Sequence, residues 1–282
     1  MIDTTPTFTI NNEEFNYPTL CVSIIDNYLV FTTKKNGSRY FEDISEDTNH
    51  SHQCNTLNIF LHDLASWPSS DMYKFSNYVL ETSPTTRIDE RSFLNLLGID
   101  ALGELFSDKV LKKFKLIFII RNPIERLFTG FFEKVDSIIA EIEMDRNKLF
   151  TYQILKKYFN FEEFNSLSNF SQDKINFILN EYVVSIDYKI LNDEHLSLWN
   201  YFLLNFLQKE NLLSKVKIID LNDTDAMDIF PKSIQPSNKP WLSSWMTDET
   251  NKYYIDTMLL NLKPYMDLEI ESYNILLNKK DG

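Results

Sequence analysis

Two short segments hold residue types that together handle oxyanions. The first is Lys34-Lys35-Asn36-Gly37-Ser38-Arg39. It sets a mobile ammonium and a planar guanidinium around a glycine and a hydroxyl. The second is Arg121-Asn122-Pro123-Ile124-Glu125-Arg126-Leu127-Phe128-Thr129. Here Arg121 offers a charged fork, and Thr129, a helical turn beyond Arg126, offers a hydroxyl to the same phosphate. The plain structural alternatives are an exposed basic turn for the first segment and a strand-end salt bridge for Arg121. Arg126 reads as a structural ion pair. The first segment is not a Walker A loop, because its lysine precedes the glycine and no G-K-[ST] follows.

Elements of the right kind flank both segments. β-rich runs occur at Tyr28–Thr32, Leu57–Leu61, Leu116–Ile120, Tyr182–Ile186 and Val216–Asp220. The first, third and fifth show little alternation, as parallel strands covered on both faces do. The first runs into the Lys34–Arg39 turn, and the residues from Tyr40 to Ile44 read as the next helix. A strand, a glycine turn and a helix make an anion cradle of backbone N–H groups. Leu116–Ile120 ends at Arg121, where open α/β sheets bind ligands. Asn122 can cap the following helix and Pro123 suits its first turn. Leu127, Phe128, Phe131, Phe132, Val135, Ile138, Ile139 and Ile142 then form a helical stripe. Tyr152–Phe159, His195–Leu207 and Asn251–Leu262 also read as helices. Ser45–Asn55 and Pro231–Pro240 read as irregular. Strands alternating with helices predict an α/β fold, a central parallel sheet flanked by helices, in a single domain over residues 1–282.

Composition narrows the function classes. Acidic residues outnumber basic ones 41 to 28, a formal charge of −13, which argues against non-specific nucleic-acid or anionic-membrane binding. Hydrophobic residues at 43% and aromatic residues at 14% supply a core and argue against disorder. Cys21 and Cys54 form no zinc spacing and read as reduced thiols. The start of the chain lacks a basic stretch followed by an apolar one, and no apolar run is long enough to span a bilayer. A cytoplasmic protein with no membrane partner is expected.

Taken in order, the two segments resemble the sulfotransferases that use 3′-phosphoadenosine 5′-phosphosulfate (PAPS). That family's first loop reads P-K-[TSG]-G-[TS]-[TSR], with Lys34 here in place of the proline. Its second motif reads R-[DN]-P-x-x-R-x-x-[ST], which residues 121–129 match throughout. The P-x-E-R-L wording is closest to the carbohydrate-type members. Residues 265–273 are similar to the terminal D-x-x-x-Y helix often seen there. The resemblance implies a P-loop-like sheet without a bound metal. It implies that Lys34, Lys35, Asn36, Gly37, Ser38 and Arg39 hold the 5′-phosphosulfate, and that Arg121 and Thr129 hold the 3′-phosphate. PAPS would be the co-substrate and adenosine 3′,5′-bisphosphate the product. The acceptor would be a hydroxyl of a glycan or small molecule.

Transfer needs Lys35 to offset charge on the leaving phosphate and a base to take the acceptor's proton. His62 follows a strand-like run and is the first candidate for that base. His50, His52, His195, Glu46, Asp47 and Glu90 are the others. Trp67, Trp199, Trp241 and Trp245 are candidates for stacking on adenine or a sugar, with plain packing as the alternative. Lys239 could reach the nucleotide. Two rival functions stay open. One is a P-loop-type nucleotide kinase, disfavoured by the absent G-K-[ST] and by no evident magnesium-holding Asp after a strand. The other is a non-catalytic nucleotide- or partner-binding protein.

Overall fold

The structure is a computed structural model that describes residues 7–16, 18–38, 40, 41, 44, 56–60, 90–100, 104–131, 133, 186–192, 196–230 and 247–279. Its strands are β1 (Thr7–Ile10), β2 (Glu13–Asn16), β3 (Thr19–Ile25), β4 (Tyr28–Thr32), β5 (Thr56–Phe60), β6 (Lys115–Ile120) and β7 (Lys217–Asp220). β1 and β2 form a separate antiparallel hairpin. The other five make one sheet in the order β5-β3-β4-β6-β7.

This sheet is mixed, which corrects the expected all-parallel one. β4 pairs parallel with β6, and β6 with β7. β3, however, runs antiparallel to both β4 and β5. The cause is a two-residue connection, Asp26-Asn27, in which Asp26 takes a φ of 52°. Two residues can only reverse the chain, whereas a parallel neighbour needs a crossover. Asp tolerates the left-handed conformation better than most residues. The parallel part, β4-β6-β7, is the part that carries both motifs.

Alternation along β6 builds two cores. Leu116, Phe118 and Ile120 face a layer that includes Phe31, Phe93, Leu97, Trp199 and Leu203. Ile117 and Ile119 face Val30, Phe41, Ile219 and Phe230. A strand covered on both faces is apolar at every position, which is why KLIFII shows no polar alternation. Phe31 and Phe118 lie opposite each other in register and stack at 4.4 Å between centroids. The first face is covered by the helices Glu90–Leu97, Asp108–Lys113 and Trp199–Lys209. A third cluster gathers Phe15 of β2, Leu127, Phe128 and Phe131, and Met258, Tyr265 and Met266 of the helices Lys252–Asn261 and Lys263–Asn278.

The expected stripe after Pro123 is helical at residues 123–131 and 133, with Leu127, Phe128 and Phe131 buried. The remainder of that stripe, residues 182–185 of the fourth expected strand, and the segments 45–55, 152–159 and 231–240 lie outside the described residues. No described helix is long and apolar enough to cross a membrane.

Candidate functional site

β4, β6 and β7 run in one direction, so their carboxyl ends share an edge. On that edge stand residues 33–38 after β4, Arg121 after β6, and Asp220 at the end of β7. The two motifs are joined there directly. Arg121 Nη1 donates to the Lys35 carbonyl at 3.1 Å, and Arg126 Nε donates to the Lys34 carbonyl at 3.3 Å.

The loop after β4 is tightly held. Asn36 N–H donates to the Thr33 carbonyl at 3.0 Å. The Asn36 side chain is fully buried, and its Nδ2 donates to Ile119 O of β6 at 3.1 Å. Gly37 has a φ of 80°, and an added Cβ would lie 2.9 Å from Leu221 Cδ1. Only glycine meets both conditions without strain. Helical structure begins at Ser38, with Phe41 N–H donating to Gly37 O at 3.2 Å. Lys35 has a φ of 68°. A non-glycine residue in the left-handed region costs about 1–3 kcal/mol and is concentrated at ligand-binding turns. Its ammonium forms an ion pair with Glu133.

Arg121 is partly buried, with 16% of its side chain exposed. Burial pulls its pKa below the usual arginine value, while the charges of Glu125 and Asp220 oppose that shift. Its Nε lies 3.6 Å from Glu125 Oε2 and makes no hydrogen bond. That Nε is closed to solvent and faces the Glu125 carboxylate, with which it forms an ion pair. Asn122 Oδ1 accepts from the N–H groups of Ile124 and Glu125 at 3.0 and 3.3 Å, the cap expected from the sequence. Thr129 Oγ1 donates to the Glu125 carbonyl at 2.7 Å within the helix. Toward a ligand it must accept a bond or leave that carbonyl.

Beneath this edge lies a buried polar girdle. Arg126 is 2% exposed. Besides the Lys34 carbonyl it donates to Ser197 O, and through Nη2 to Ser197 Oγ at 3.2 Å. Glu269 accepts from the N–H groups of Asn200 and Tyr201, both at 2.8 Å. It thereby caps the helix Trp199–Lys209, whose own N-cap residue Leu198 offers no side-chain bond. Burial pushes the Glu269 carboxyl above the ordinary glutamate value, against the pull of the Arg126 charge and the two N–H donors. Asn200 Nδ2 donates to the Arg121 carbonyl at 3.2 Å. Tyr273, one turn beyond Glu269, donates its hydroxyl to Asp220 Oδ2. Sequence reasoning singles out the segment 265–273 but not Glu269 and Tyr273 as its inward pair. Their i, i+4 spacing on a helix is the available signal.

Several expectations have a definite place. Lys34, Lys35, Asn36, Gly37, Ser38, Arg121 and Thr129 are all among the described residues. Trp199 is fully buried and its Nε1 donates to Ile119 O at 3.0 Å, so it packs in the core and does not face a ligand. Asp220 closes β7, as the expected run Val216–Asp220 has it. Its Oδ1 already accepts from Asn222 N–H at 2.9 Å and its Oδ2 from Tyr273. Arg39, His50, His52, His62, His195, Glu46, Asp47, Trp67, Trp241, Trp245 and Lys239 lie outside the described residues, as does the Glu90 side chain. Among the described residues no group of His, Cys, Asp and Glu could hold a metal ion. Cys21 is buried and forms no disulfide, and Cys54 lies outside the described residues. No family model matches the chain, and no curated protein and no solved structure matches it.

Proposed function

We propose that the protein is a PAPS-dependent sulfotransferase acting on a hydroxyl acceptor, of which a carbohydrate is the best candidate. The observation that carries the reading is the bond from Arg121 to the Lys35 carbonyl. It puts the two motifs side by side on one sheet edge, as a single nucleotide with phosphates at both ends requires. The left-handed Lys35 and the glycine at 37 support it further.

In this reading the turn at residues 34–38, with Arg39, receives the 5′-phosphosulfate, and Arg121 with Thr129 receives the 3′-phosphate. The acceptor oxygen attacks sulfur in line with the bond to the phosphate oxygen. That bond breaks and its electron pair stays on the phosphate. Lys35 offsets the charge that develops there. A preorganised cation in a partly desolvated site is worth more than one in water. A base takes the acceptor's proton, and His62 keeps its place as the first candidate.

The kinase reading gains one observation, the position of Asp220 at the end of β7. A metal ion there would first have to displace the Tyr273 hydroxyl. A thermal-shift comparison separates the two readings. Adenosine 3′,5′-bisphosphate should raise the melting temperature in the absence of metal, by mass action. ATP with magnesium should do less. A larger shift with ATP and magnesium would favour the kinase.

A further inference from the structure

Glu133 lies one helical turn beyond Thr129, on the helix that Arg121 and Asn122 open, and its carboxylate pairs with the Lys35 ammonium. With 12% of the lysine side chain and 31% of the glutamate side chain exposed, the pair sits at the rim of the edge and not in the core. A carboxylate in that place has two effects. It compensates a cation that is largely withdrawn from water. It also fills acceptor positions that phosphate or sulfate oxygens would otherwise take, and two anions cannot share them without strong repulsion.

We propose that Glu133 is an internal competitor for the anion at Lys35, one that an incoming phosphate or sulfate group must displace. The identity of the natural ligand, PAPS, rests on the reading given above; the competition does not. The exchange needs no movement of the turn, because Arg121 and Arg126 hold the Lys35 and Lys34 carbonyls independently of where the lysine side chain points. It also sets a threshold. A small anion that touches Lys35 alone replaces one carboxylate with another group of similar charge and gains little. A ligand that also reaches Arg121 has a second anchor to offset the displacement. Glu133 is thus a specificity-determining residue that favours doubly anchored nucleotides over free sulfate.

The test is a mutant cycle read by calorimetry on the full chain. Wild type, Glu133→Gln, Lys35→Ala and the double variant are titrated with adenosine 3′,5′-bisphosphate and, separately, with inorganic pyrophosphate. Glu133→Gln should bind pyrophosphate about five- to tenfold tighter than wild type, and the gain should vanish when Lys35 is also removed. No gain with either ligand, or a gain that persists without Lys35, overturns the proposal. So does a failure of pyrophosphate to bind any of the four proteins. Tighter pyrophosphate binding with no binding of the bisphosphate to any variant supports the competitor and removes the PAPS reading. If Glu133→Gln does not fold, Glu133→Ala takes its place in the cycle with the same expected signs.

Discussion

Arg121 and Arg126 belong to one motif, the first just past the end of β6 and the second on the helix that follows, yet they do different work. Arg121 stands at the rim, pairs with Glu125 and is only partly buried. Arg126 is buried and spends its donors on the Lys34 carbonyl and on both oxygens of Ser197. The contrast teaches that charge at a sheet edge is useful to a ligand only if something else holds the edge in shape. Arg126, Ser197 and Glu269 hold the edge from beneath, while Arg121 and Lys35 stand on its rim, each paired with a carboxylate that an incoming anion must compete with.

The sharpest way to break this comparison is to remove Arg126. Arg126→Ala leaves the Glu269 carboxylate without its nearby cation and the Ser197 and Lys34 carbonyls without donors. Unfolding in urea should show a loss of about 3–5 kcal/mol. A loss below about 1 kcal/mol would mean that the girdle does not hold the edge. Arg121→Ala should give the opposite pattern. Affinity for adenosine 3′,5′-bisphosphate should fall about 100-fold by calorimetry, with a change in stability of about 1 kcal/mol or less. If stability collapses and affinity survives, the roles of the two arginines are reversed.

Gly37→Ala tests the turn itself. The φ of 80° and the approach to Leu221 Cδ1 predict a destabilisation of about 1–3 kcal/mol, seen as a lower melting temperature. Adding Leu221→Ala should recover the part due to contact and leave the part due to the backbone. The smallest effect concerns pH. Burial and the bond to Asp220 raise the Tyr273 pKa above its usual value of 10.0. The folded state therefore holds this proton more tightly than the unfolded chain does. The stabilisation is complete below pH 10 and is lost as pH climbs from there through the higher folded value. Tyr273→Phe should show a flatter decline of stability over that alkaline range than wild type. Parallel curves would mean that the hydroxyl is not linked to folding.

Much of the edge is legible in the sequence because it rests on local chemistry. Tyr28–Thr32 has the same bounds in both, and the strands ending at Ile120 and Asp220 differ by one residue at their starts. Runs buried on both faces leave an unmistakable signature, and Asn122-Pro123 is a cap written in two letters. β3 escapes sequence reasoning for the converse reason. Thr19–Ile25 places a threonine, a cysteine and a serine among its apolar residues, and the reversal at Asp26-Asn27 has no glycine to mark it. The girdle is illegible because its members, Arg126, Ser197 and Glu269, are far apart in the chain and only packing brings them together. The sequence suggests a structural ion pair for Arg126; in the fold it donates to two backbone oxygens and a hydroxyl, with the Glu269 charge nearby.

The helix Lys263–Asn278 supplies both the carboxylate that closes one helix at Asn200 and the hydroxyl that fixes the end of β7. On a translating ribosome, then, the sheet edge stays unfinished until that late segment has left the exit tunnel. A nascent chain stopped short of residue 263 would own both arginines of the motif and still lack the frame that aims them.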